Sequence, residues 1–115
     1  MGEGNPKSCM TENAMKMLLI VFRESLEEEI HGLLNELHVK AFTELHKVVG
    51  AGEAGVAFHS FTWPGANAMV LTALPEDHAD RVVEGLKAFR DQRLKEQHGV
   101  KLPLRVFVLP CLQVV

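Results

Sequence analysis

A chain of 115 residues, 47% of them hydrophobic, has the length of one domain with a single core, at a size where assembly often adds stability. Its formal net charge of -3, with acidic and basic residues mixed along the chain, gives no basic face for nucleic acid. The longest uninterrupted apolar run, residues 17–22, falls far short of the roughly 20 residues of a membrane helix, so no direct membrane insertion is expected.

Residues 1–14, MGEGNPKSCMTENA, carry neither a strand nor a helix period. They are expected to be a disordered arm or an expression remnant ahead of one domain over residues 15–115, with Met10 or Met15 as an alternative start. Cys9 and Cys111 form no C-x-x-C pair and follow no secretory signal, which points to a reducing, cytoplasmic setting.

MLLIVF, from Met17 to Phe22, lacks polar alternation, as a central strand buried on both faces does. Ser25 and Glu28 then have capping-box spacing, with Glu27, Glu28 and Glu29 in the first turn of a helix. Leu26, Ile30, Leu33, Leu34 and Leu37 put one apolar stripe on that helix, which is expected to end near Leu37. Ala41 to Val49 reads as a second strand, closed by Gly50, Gly52 and Gly55. The chain returns through His59, Trp63 and the Pro64-Gly65 turn into a third strand, Ala66 to Leu74, antiparallel to the second. Pro75 stops it, and Glu76, Asp77 and Asp80 open a long helix striped by Ala79, Val82, Val83, Leu86 and Phe89. That helix is expected to end between Asp91 and Gln97, with Gly99 as its stop. LRVFVLP, from Leu104 to Pro110, is the last strand, and CLQVV extends it, with Cys111 as a core thiol.

The order β-α-β-β-α-β, with one apolar stripe on each helix, predicts an α+β, ferredoxin-like domain: a four-stranded antiparallel sheet with both helices on one face. Because the first and third strands are apolar on both sides, the uncovered face is expected to meet other subunits.

Gly50, Gly52 and Gly55 spell G-x-G-x-x-G, but VAFHSFTW follows where a dinucleotide site needs a helix N-terminus. They read better as the base of a loop, with backbone amides that can face an anion. Trp63 either stacks on a base or packs against a neighbouring subunit. Lys101 and Arg105, at the start of the last strand, are anion contacts or surface charges. His46 and His59 flank the loop and form a two-ligand candidate for a divalent metal. His31, His38, His78 and His98 fall off the apolar stripes and read as solvated surface. No nucleophile-base pair, G-x-S-x-G or paired-carboxylate signature appears, so no catalytic residue is assigned and no enzyme is expected.

FTELHKVVGAGEAG, the Trp63-Pro64-Gly65-x-Asn67 element, the Leu-Pro-Glu-Asp helix start and the closing RVFVLP together resemble the PII nitrogen-regulatory signal proteins, most of all their divergent PII-like branch. The resemblance spans roughly Met17 to Leu112. It implies a homotrimer with small effectors, commonly adenine nucleotides, in clefts between subunits. It also implies a loop, the T-loop, that touches a partner enzyme or membrane transporter. By position, Gly50, Gly52 and Gly55 resemble the base of that loop, and Arg105 stands where the family has the lysine of a Gly-Asp-Gly-Lys turn. Here the turn reads HGVKLPLR, and the chain reaches Val115 without an Arg-x-Arg-Thr-Gly tail. With no tyrosine in the chain, the family's tyrosine modification is excluded. The alternative is a metal-responsive trimer of the CutA type, resting on His46 and His59.

Overall fold

The computed structural model describes residues 14–48, 67–96, 98 and 102–115. The first apolar run forms β1 (Ala14–Arg23), longer at both ends than its hydrophobic centre. A 3-10 turn (Glu24–Leu26) leads into α1 (Glu27–Glu36), followed by β2 (Thr43–Val48), β3 (Asn67–Pro75), α2 (Glu76–Glu96) and β4 (Leu104–Leu112). The strands form one sheet in the order β2-β3-β1-β4, with every pairing antiparallel. This is the expected ferredoxin-like βαββαβ arrangement. β1 lies inside the sheet between β3 and β4, which is why its sequence is apolar without alternation.

Register decides which side chains share a face. Ile20 stands opposite Val70 and Val106, and Phe22 opposite Ala68 and Leu104. Under the helices these residues join Leu18, Ile30 and Leu34, and Ala79, Val82 and Leu86 of α2, in one core. Full burial of an aliphatic or aromatic side chain of this size contributes about 1.5–3 kcal/mol. At the rim of this face Lys16 Nζ donates to Asp80 Oδ1 at 2.8 Å, tying β1 to the N-terminal part of α2. The intervening residues Met17, Leu19 and Val21 point to the opposite face, together with Met69, Leu71, Phe107 and Leu109 of the adjoining strands.

Two local expectations change. Ser25 does not cap α1: neither the 3-10 turn nor α1 has a side-chain capping bond. β1 stays extended through Arg23 and the turn begins at Glu24, so Ser25 is already inside a helical turn instead of standing before one. Cys111 is not a core thiol, because it stands opposite Met15, half-buried on the face away from the helices. β4 continues through Pro110, which an edge strand tolerates because one side of it has no ladder to complete.

The end of α1 is tightly specified. His38 takes φ 64°, so its amide returns to Asn35 O at 3.1 Å and the Val39 amide to Leu34 O at 2.9 Å, satisfying the last carbonyls as a glycine usually does. Nearby, a Cβ on Gly85 would stand 2.7 Å from Leu37 Cδ1, so the glycine in α2 admits the close approach of α1.

Candidate functional site

The segment 49–66 leaves β2 and re-enters at β3, and the described residues define its two footings. The β2–β3 register shifts between His46 and Val48, with Lys47 at φ 57°, a bulge that adds local twist where the segment departs. Asn67 is wholly buried opposite Val48, and its Nδ2 donates to Val48 O at 3.3 Å, joining the two footings. The Lys47 amide donates to Glu24 Oε2 at 3.4 Å, anchoring the bulge to the turn before α1. Gly50, Gly52, Gly55, His59, Trp63 and Lys101 lie outside the described residues.

Arg105 is described, half-buried on β4 opposite Val21. It borders a groove of about 330 Å³ between β4 and α2, where Lys87 and Arg90 are the other cations and Val83, Leu86 and Val106 supply apolar wall. Arg23, two residues beyond Val21 and opposite Asn67, shares the Arg105 face at this end of the sheet. Its Nε is buried without a hydrogen-bond partner among the described residues. Sequence reasoning passes over Arg23, although a cation closing the apolar run MLLIVF is a visible signal.

On the other edge His31 and His78 depart from the solvated-surface reading, whereas His38 and His98 are exposed as expected. His31 Nε2 contacts Glu44 Oε1, and the His31 ring lies 5.7 Å from Phe42. His78 Nε2 donates to Leu37 O at 2.8 Å, so it helps close the end of α1. His46 stands among carboxylates, its Nε2 at 2.8 Å from Glu44 Oε2 and its Nδ1 at 3.8 Å from both Glu24 Oε2 and Glu27 Oε1. Ligand atoms of Glu27, His31 and Glu44 all lie within 4.8 Å of one another. The spacing that builds this cluster is legible: Glu27 and His31 are four apart on α1, and Glu44 and His46 two apart on β2, so each pair shares a face. In the sequence Glu27 reads only as a charge favouring the helix start, and the pairing of His46 with His59 involves a residue outside the described set.

A two-helix ferredoxin-like domain with a pinned loop base on one hairpin, a cationic groove at the far edge and an uncovered apolar sheet face is the class these features define. Residues 15–115 match the family model of nitrogen regulatory protein P-II, and the chain belongs to that family. Among solved structures it is similar to CPII, a nitrogen regulatory PII-like protein from Thiomonas intermedia K12. The form of CPII bound to ADP, AMP and bicarbonate is 21% identical, with TM-score 0.62 over 89% of this chain and 94% of that one. The form bound to ADP, AMP and acetate is 22% identical, with TM-score 0.64 over 90% and 91%. A putative PII-like signaling protein from Thermus thermophilus is 24% identical, with TM-score 0.55 over 89% and 91%. No curated protein matches the sequence. Among the described residues, no helix is long and apolar enough to cross a membrane.

Proposed function

We propose that this protein is a PII-like regulator rather than an enzyme. In this reading it is a cytoplasmic homotrimer that takes an adenine nucleotide into clefts between subunits. It thereby controls a partner enzyme or transporter through residues 50–65. The match of residues 15–115 to the P-II model carries the reading. The uncovered sheet face supports assembly: Leu45, Phe107 and Leu109 are 49%, 42% and 45% exposed, an apolar surface that a second subunit can bury. The edge groove supports the ligand class, since apolar wall suits a base and the cations Lys87, Arg90 and Arg105 suit phosphates. The ADP and AMP of CPII agree with that class.

The residues assigned to the ligand are Gly50, Gly52, Gly55, Trp63, Lys101 and Arg105. For the segment to act as a signal, the nucleotide must bind one of its conformations more tightly than the other, because equal affinity shifts nothing. Trp63, the only tryptophan, reports this directly. Its fluorescence is expected to change on titration with at least one of ATP, ADP and AMP, and Arg105→Ala is expected to weaken that response about tenfold, the loss of one charge-assisted contact. If none of the three changes either the fluorescence or the melting temperature, nucleotide sensing is wrong.

A further inference from the structure

We propose that Glu27, His31 and Glu44, with His46 as the fourth donor, form a binding site for a divalent transition-metal cation on the α1–β2 side of the molecule. This is an input separate from the nucleotide cleft. The two elements converge in a way that suits an ion. Glu27 and His31 project from one face of α1, while Glu44 and His46 project from the helix-side face of β2, so Glu27, His31 and Glu44 meet across the gap between helix and edge strand with His46 beside Glu44. Donors bound to one tetrahedral ion stand about 3.3 Å apart, given metal-ligand bonds near 2.0–2.1 Å. The ligand atoms of Glu27, His31 and Glu44 already lie within 4.8 Å of one another, so side-chain rotation alone brings them to that spacing.

A second observation points to an occupant. The Glu44 side chain is only 10% exposed, and its Oε2 is fully buried without a hydrogen bond among the described residues. His46 Nε2 stands 2.8 Å from it, yet the pair lacks hydrogen-bond alignment. A buried carboxylate oxygen in this condition costs free energy. A cation held between Glu44 Oε2 and His46 Nε2 would satisfy that oxygen. Charge argues the same way. Glu24, Glu27 and Glu44 gather around His46, and a dication would offset their carboxylate charge. Two imidazoles with two carboxylates favour zinc and its neighbours in the first transition row over magnesium or calcium, whose sites are built from oxygen.

The site would also have a route to the segment after β2. Glu24, 3.8 Å from His46 Nδ1, accepts the Lys47 amide at the bulge where that segment begins. The test is equilibrium dialysis of the tag-free full chain against zinc chloride, followed by calorimetric titration. One zinc per chain is expected. Glu27→Gln and His31→Gln should each lower affinity at least about 100-fold, because even outer-shell partners are worth 10- to 100-fold. His59→Gln should leave binding unchanged. Glu27 is partly exposed at the helix start, so its variant keeps the fold and far-ultraviolet circular dichroism checks it. Zinc absent from the dialysed wild-type chain overturns the proposal. So does undiminished affinity in folded Glu27→Gln, or a loss confined to His59→Gln.

Discussion

On β1, Leu18, Ile20 and Phe22 alternate with Met17, Leu19 and Val21, and the two apolar sets meet different surroundings. The first set is wholly buried beneath α1 and α2. The second is covered only at Val21, which is wholly buried, while Met17 and Leu19 are part-exposed beside Phe107 and Leu109, 42% and 45% exposed on the neighbouring strand. Composition scarcely distinguishes the faces, so the difference lies in what covers them. A strand that is apolar on both sides is stable in water only when both sides are covered. One cover is supplied by the chain's own helices, and the proposed trimer supplies the other.

The contrast can be sharpened by truncation. Phe22→Ala should remove about 3–5 kcal/mol of folding stability, the cost of a large cavity in a closed core, measured by urea unfolding. A loss below about 1 kcal/mol would mean that this face is not the principal core.

At the rim of the covered face the effect should be far smaller. The hydrogen bond that Lys16 donates to Asp80, aided by the charges of Asp80 and Glu76, raises the Lys16 ammonium above its ordinary value of 10.5. Because the folded chain holds this proton more tightly than the unfolded chain, the contribution is full below pH 10.5 and is lost as pH rises through the folded value. The urea midpoints of wild type and Lys16→Met should therefore differ by a small constant amount near neutrality and converge in strong alkali. A gap that persists there would assign the effect to packing of the lysine stem.

The sheet, both helices and their apolar stripes were legible because each rests on a short-range period, two for strands and 3.6 for helices. Ser25 shows the limit of local pattern: the S-x-x-E spacing is present, but β1 runs on to Arg23 and the helical turn starts at Glu24. His31 and Glu44 show the limit of periodicity. It places each on a face of its own element, yet the contact between them spans 13 residues and depends on how α1 lies against β2. Arg105 was legible only as a cation at the start of the last strand, from its place before VFV. Its companions Lys87 and Arg90 come from α2 and meet it only when that helix docks beside the edge strand.

Native mass spectrometry of the full chain, purified without added ligand, tests the central claim most directly when wild type is run beside Leu109→Asp. Leu109 is exposed on the uncovered face, so a carboxylate there stays solvated in a monomer but is costly once buried between subunits. Wild type is predicted to appear as a trimer, with adenine nucleotide retained or taken up on addition, and Leu109→Asp as a folded monomer. A wild-type monomer, or a Leu109→Asp trimer that still takes up nucleotide, would contradict the account.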